Sequence, residues 1–253
     1  MTRQPAPTLA TLSAARWRSA GSPALLPRLD QALGVLVRGA LPPERCADWS
    51  RRVLRARRHW VRDFGGEQFA LGRAFYTHLE TDQAKLYFDD AAASDARVER
   101  ALPGMQAWTR ALFAELTGGL VRPRLGFCGP GVHVFPSGGQ VATKGGVIHF
   151  DVEGLSPIVL DRGLRTASLV VMLQTPERGG GLHLFGATYR GRENATRADL
   201  ASPRRLVGYR NGDALLMSSY RLHQIRPFRG DLDRVSITLH AAEVDRGVWE
   251  TWF

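Results

Sequence analysis

His149 and Asp151 stand two residues apart in Gly145-Gly146-Val147-Ile148-His149-Phe150-Asp151, and a further histidine, His223, precedes Arg234-Val235-Ser236 by eleven residues. Two imidazoles and one carboxylate can hold one face of a divalent ion and leave its other coordination positions open. Residues i and i+2 of a strand project to the same side, so His149 and Asp151 can serve one ion while Phe150 packs behind them. A guanidinium and a hydroxyl spaced like Arg234 and Ser236 make a carboxylate receptor, because the planar fork donates two parallel hydrogen bonds and the hydroxyl a third. The chemistry implied is a metal centre beside an anion site.

Positioning these groups requires strands. His223 and Arg234 flank Arg226-Pro227-Phe228-Arg229-Gly230-Asp231-Leu232-Asp233, whose proline and glycine predict a hairpin connection. A hairpin symmetric about the bond between Phe228 and Arg229 would set His223 opposite Arg234, with Cβ atoms about 4.5–5.5 Å apart. A rival pair, His78 and Glu80, lacks both the glycine-flanked strand pattern and a following Arg-x-Ser, and is expected to cap or to line a pocket wall instead.

The chain of 253 residues is long enough for one sizeable core, and we expect a single domain over 1–253. Residues 1–28 carry arginine, serine and proline with no acidic residue before Asp30, and are expected to be a poorly ordered leader rather than a targeting segment. Residues 29–120 form a helix-rich support. Within it Val35–Val37 predicts a strand, Pro42-Pro43 opens a helix to about Arg58, and Met105, Trp108, Leu112 and Leu116 mark another that ends at Gly118-Gly119.

From Val121 the pattern turns to short β-branched and aromatic runs broken by Gly, Pro and Asp. Predicted strands are 131–135, 146–150, 167–174, 181–185, 214–217, 221–226 and 234–240, which place a closed or double-sheet β core over 121–241. The polar stretch 186–205 is long enough to suggest a loop over a substrate.

No stretch approaches the ~20 apolar residues of a membrane span. Two distant cysteines, Cys46 and Cys128, make no disulfide framework, which points to a reducing cytoplasmic location. The net charge of +10 is almost all arginine and is scattered. Its densest run, Arg51, Arg52, Arg55, Arg57 and Arg58, is expected to be a solvated helix face with Trp49, Val53 and Leu54 inward, which argues against a nucleic-acid stripe. Oligomeric state is not legible.

With the HxD pair at 149–151, the distal His223 and the Arg-x-Ser at 234–236, the chain resembles the Fe(II)/2-oxoglutarate-dependent dioxygenase superfamily over roughly 121–241. Ser168-Leu-Val-Val-Met-Leu-Gln174 followed by Gly179-Gly180-Gly181, Gly212-Asp213 before the distal histidine, and the helix entry from Val35 to Cys46 add to it. The resemblance implies an α+β fold that is mainly β, a jelly-roll or cupin-like double-stranded β-helix packed on N-terminal helices. It implies Fe(II) held by His149, Asp151 and His223, with 2-oxoglutarate anchored by Arg234 and Ser236 and O2 as second cosubstrate.

The implied reaction couples decarboxylation of 2-oxoglutarate to succinate with hydroxylation of an unactivated C–H bond in a small molecule, such as an amino acid or a natural-product intermediate. Halogenases of the superfamily have Gly or Ala where Asp151 stands, so Asp151 favours hydroxylation. Nucleic-acid demethylases carry a second arginine where this chain has His240, and prolyl hydroxylases generally have lysine at Arg234. His133, on the strand before the HxD pair, is implied as an auxiliary contact to the cosubstrate pocket, with a satisfied core histidine as the alternative, and His183 has the same standing. Gln174, Trp249 and Trp252 are expected mainly in packing. The alternatives are a non-catalytic sensor barrel that keeps the metal site, and an oxygenase acting on protein or nucleic acid.

Overall fold

The longest strand among the described residues alternates without a break over its first eight positions. Arg234, Ser236, Thr238 and His240 line a cavity, whereas Val235, Ile237, Leu239 and Ala241 join the main apolar core. A pleated backbone turns successive side chains to opposite faces, so one strand builds both the site and the core. Three strands of the same sheet pair directly with this one, namely Gly131–Phe135, Thr166–Gln174 and Val248–Trp252.

The computed structural model describes residues 8–253. Its first part comprises β1 (Ala10–Ser13), α1 (Ala14–Ser19), α2 (Leu26–Leu29), β2 (Val35–Arg38), α3 (Pro43–Arg55), β3 (Val61–Asp63), β4 (Gln68–Leu71), α4 (Phe75–Glu80), α5 (Ala84–Ala101) and α6 (Met105–Thr117). There follow β5 (Leu120–Pro123), β6 (Gly131–Phe135), α7 (Gln140–Lys144), α8 (Pro157–Asp161), β7 (Thr166–Gln174), β8 (Arg178–Gly179), β9 (Leu182–Thr188) and α9 (Arg197–Ala201). The chain closes with β10 (Arg204–Val207), β11 (Ala214–Met217), β12 (Arg221–Ile225), β13 (Phe228–Arg229), β14 (Arg234–Asp245) and β15 (Val248–Trp252).

The major sheet runs β1-β2-β11-β7-β14-β6-β4-β3, and β15 pairs with the later part of β14 and carries β5 on its other side. A minor sheet, β10-β9-β12, faces it. Cys46, Trp49 and Val53 of α3, Val98 of α5 and Met105, Leu112, Phe113 and Leu116 of α6 pack on the outer face of the major sheet. Between the two sheets, Leu36, Leu182, Leu184, Leu215 and Met217 form a second apolar cluster beside the cavity. Burying each such side chain contributes about 1.5–3 kcal/mol.

Helix α6 stops as expected at Gly118, whose φ of 69° is left-handed backbone that favours glycine. The arginine run of α3 faces solvent, with Trp49 and Val53 buried; Leu54, expected inward, is instead exposed. The β core is larger than 121–241. It recruits β1 to β4 from the N-terminal part and continues to Trp252, because β14 outruns β6 and needs β15 to pair its last residues.

The expectation of a poorly ordered leader over residues 1–28 is corrected for the part described, while its first seven residues lie outside the described ones. Strand β1 pairs in parallel with β2, from Ala10 against Val35 to Ser13 against Arg38. Trp17 is 3% exposed and donates from Nε1 to the Pro23 carbonyl at 2.9 Å. An edge strand with unpaired backbone groups thereby gains a partner, and an aromatic side chain outweighs the polar composition around it. Replacing Trp17 by Ala should lower unfolding stability by about 3 kcal/mol. Urea unfolding checks this, and an unchanged midpoint would be the result for a loose leader.

Candidate metal centre and anion site

Gly145 ends α7, and the chain then runs beside β12. Gly146 N–H donates to the Ile225 carbonyl at 2.9 Å, and Asp151 N–H to the Ser219 carbonyl at 2.9 Å. Between them His149 and His223 exchange both backbone hydrogen bonds, at 3.1 and 3.0 Å. The strand expected over 146–150 is thus reduced to one bridge, His149 to His223, flanked by irregular contacts. That bridge sets the two imidazoles side by side, with ring centroids 4.2 Å apart.

Each ring is oriented by its own backbone. Nδ1 of His149 donates to the Val147 carbonyl at 2.9 Å, and Nδ1 of His223 to the Arg221 carbonyl at 2.9 Å. A carbonyl can only accept, so both rings carry a proton on Nδ1 and turn Nε2 toward the position a metal would take. The two Nε2 atoms lie 3.4 and 3.5 Å from Asp151 Oδ1. Asp151 Oδ2 accepts from the Ser168 hydroxyl at 2.6 Å, and Ser168 in turn meets Ser219 and His240 Nδ1, each at 3.1 Å.

Electrostatics follow from this packing. Burial disfavours a charge on His149, but its hydrogen bond to Asp151 and the charge of that carboxylate outweigh it and raise the pKa to about 9. Burial also pushes Asp151 upward, yet His223, His149 and His240 around it hold its carboxyl well below the usual range. For His223 burial prevails over the attraction of Asp151, and its pKa falls to about 4. Burial and the charge of Asp151 push Glu153 up to about 7.

Arg234 is 2% exposed. Its Nε donates to the Gly180 carbonyl at 3.1 Å and its Nη1 to Ser236 Oγ at 3.2 Å, while its guanidinium lies 5.4 Å from the Phe135 ring centre and 5.9 Å from that of Tyr209. Among the described residues no carboxylate pairs with it. It opens instead on a cavity of about 390 Å³ that His149, Asp151, His223, His133 and Ser236 also line.

The expected hairpin between His223 and Arg234 does not form. Strand β12 pairs with β9 of the minor sheet, the short β13 pairs with β8, and Arg234 on β14 sits opposite Phe135 in the major sheet. The turn-like stretch is therefore a crossover between sheets. The metal ligand candidates and the guanidinium face one cavity from different sheets and are not neighbours on one strand pair.

His133 is buried opposite Ser236 on β6, and burial foremost lowers its pKa to about 3; Nδ1 has no hydrogen-bond partner. His183 does not line the cavity, and its Nε2 contacts Arg226 Nη1 at 3.3 Å. His78 is buried against Arg73, Thr77 and the Ala74 carbonyl, whereas Glu80 lines the cavity wall. No residue of 186–205 lines the cavity; that stretch carries the end of β9, the capped helix α9 and part of β10. Sequence reasoning missed His240 as a contact of the site, together with Ser168 and Tyr209. Alternation from Arg234 along β14 would have found His240.

Two imidazole nitrogens and a carboxylate oxygen within 4.8 Å of one another fit a small divalent ion such as Fe(II), once His149 has given up its second proton, and leave the cavity side open. No family model matches the sequence, and no curated protein matches it. Solved structures do. The epimerase SnoN in complex with Fe3+, alpha ketoglutarate and nogalamycin RO matches with a TM-score of 0.58 at 18% identity, covering 88% of this chain and 83% of that one. An N-substituted L-amino acid dioxygenase from Burkholderia ambifaria matches with 0.58 at 17%, covering 93% and 91%. A prolyl hydroxylase from Trichoplax adhaerens, in complex with a hypoxia inducible factor peptide fragment, matches with 0.52 at 13%, covering 88% and 90%.

These likenesses define the class of fold: the chain has the fold of iron- and 2-oxoglutarate-dependent oxygenases, in agreement with the resemblance carried by its motifs.

A metal must displace the proton that Asp151 stabilises on His149. Apparent metal affinity should therefore rise about tenfold per pH unit through the neutral range and level off above about 9. Anaerobic Mn(II) titrations at about pH 6.5, 7.5 and 8.5 measure this. A flat profile would show that His149 carries no such proton.

Proposed function

We propose that the protein is an Fe(II)- and 2-oxoglutarate-dependent oxygenase that hydroxylates an unactivated C–H bond of a small molecule. The observation that carries the reading is Arg234, a buried guanidinium without a carboxylate partner, in the same cavity as the three metal-ligand candidates. An uncompensated buried charge costs several kcal/mol, and an anionic ligand relieves that cost.

In this reading His149, Asp151 and His223 hold the iron. Arg234 and Ser236 bind the distal carboxylate of 2-oxoglutarate, with the buried Tyr209 hydroxyl, which has no partner of its own, close enough to Arg234 to feel its charge. Bound iron supplies the redox chemistry that lets O2 oxidise both 2-oxoglutarate and substrate. One oxygen atom enters succinate, the other enters the substrate, and carbon dioxide leaves. Ser168 fixes Asp151 through Oδ2 so that Oδ1 is presented to the metal. His133 lies beside Ser236, which favours it as the auxiliary contact to the cosubstrate.

Hydroxylation as the outcome rests on Asp151, because a carboxylate at that position fills the space a halide would need. A small substrate is favoured by a cavity of about 390 Å³, a volume within the range of small-molecule sites.

The test is anaerobic binding of 2-oxoglutarate to the Fe(II)-loaded protein, followed by succinate formation when oxygen is admitted with a substrate panel. Neither binding nor succinate would end the reading. Arg234→Ala should weaken 2-oxoglutarate binding by at least about 30-fold while Mn(II) affinity stays unchanged, since the variant removes the anion's partner and no metal ligand. Calorimetry separates the two affinities.

A further inference from the structure

The cavity wall carries one arginine, Arg234, and no lysine, yet it also carries Glu67, Glu80 and Glu153 besides Asp151. The chain is rich in cations, with 34 Lys and Arg against 24 Asp and Glu, and some carboxylates take basic partners. Asp48, Asp90, Asp213 and Glu250 all do so. Glu67, Glu80 and Glu153 do not: among the described residues none of them has an ion-pair partner. Arg124, which reaches the backbone next to Glu153, does not pair with its carboxylate. It donates to the Gly154 carbonyl and lies over the rings of Phe127 and Trp252, outside the cavity lining.

The cosubstrates do not supply the missing charge. On the function proposed above, on which this inference rests, the charges of iron and Arg234 are matched by Asp151 and the two carboxylates of 2-oxoglutarate. That leaves Glu153, half-buried, and Glu67 and Glu80, both exposed, facing the remaining space with no cation of the protein or the cosubstrates beside them. Glu80 and Glu153 both lie within electrostatic reach of His149, and Glu193 adds a further negative field at Glu80. An inorganic ion does not fit them, since among the described residues only His149, Asp151 and His223 bring ligand atoms together closely enough.

Tyr76, Phe75 and Trp252 share the cavity wall with these carboxylates. Carboxylates beside aromatic faces form a receptor for a protonated amine, because both the charge and the ring quadrupole attract a cation.

We propose that the substrate enters as a cation, a protonated amine whose ammonium group is held by Glu80 and Glu153 next to the aromatic wall, which turns the rest of the molecule toward the metal. Glu80, at the exposed end of α4, sets the selectivity for charge. Glu67 contributes through its field.

The experiment uses the full chain loaded with Mn(II) and 2-oxoglutarate without turnover, and three probes of similar shape: phenethylamine, phenethyl alcohol and phenylacetate. Binding is followed by calorimetry. Phenethylamine should bind on the order of tenfold more tightly than the alcohol, with phenylacetate weakest. Glu80→Gln should remove most of the preference for the amine and Glu80→Asp should keep part of it, while the 2-oxoglutarate affinity of both variants stays as in the parent protein. Glu153→Gln provides a second, independent loss of the same preference.

Equal or tighter binding of the alcohol or the carboxylate would overturn the proposal, as would an amine preference that survives both glutamine variants. So would no binding of any probe up to about 10 mM. Failure of the parent protein to bind 2-oxoglutarate at all would instead strike the function on which the proposal rests, and the two failures are read from separate titrations.

Discussion

The pleat of β14 is the constraint on which the rest of the structure depends. With a side-chain period of two, a shift of one residue would send Val235, Ile237 and Leu239 into the cavity and Arg234, Ser236 and His240 into the apolar layer against α3 and α6. Either displacement is costly, so the hydrophobic core fixes the register of the polar site. Pairing on both edges, with β7 on one side and β6 then β15 on the other, leaves the strand no freedom to slip. Packing stability and chemical function are therefore two faces of one strand, and neither can be altered alone.

The minor sheet has a different task. It brings His223 across from the opposite side and lends its backbone to the irregular segment that carries His149 and Asp151. Regular pairing over 146–151 is unnecessary, because one bridge and two flanking hydrogen bonds are enough to aim both side chains. The metal-ligand candidates thus belong to the minor sheet and the segment beside it, while Arg234 belongs to the strand that holds the core.

Much of this site was legible in the sequence because its signals are local. His149 and Asp151 share a face by spacing alone, and Arg234 and Ser236 do so again. The relation between His223 and Arg234 was not legible, since Phe228 and Arg229 pair with residues 178–179, about fifty positions away, and no local pattern records such a partner. The N-terminal segment misled for a related reason. Its composition is polar, yet the exposed edge of β2 offers it a strand to join and Trp17 an apolar seat. Glu80 was expected at a pocket wall and lies there, but its distance from any arginine depends on where α4 packs, which only the tertiary structure reveals.

The anchoring of both imidazoles to carbonyls two residues back in their own chain has a further consequence. Ring orientation is set before any ion arrives, so the triad is a rigid chelate whose affinity follows the intrinsic preferences of nitrogen and oxygen donors. Those preferences rank copper, nickel and zinc above iron. A preformed site of this kind has no geometric means to reject zinc, and on the proposed function a redox-inert ion seated there would halt turnover while leaving the structure intact. Which metal such a site would carry is then decided by the supply and exchange of ions around it, so that the metallation history of a sample would become part of its chemical identity.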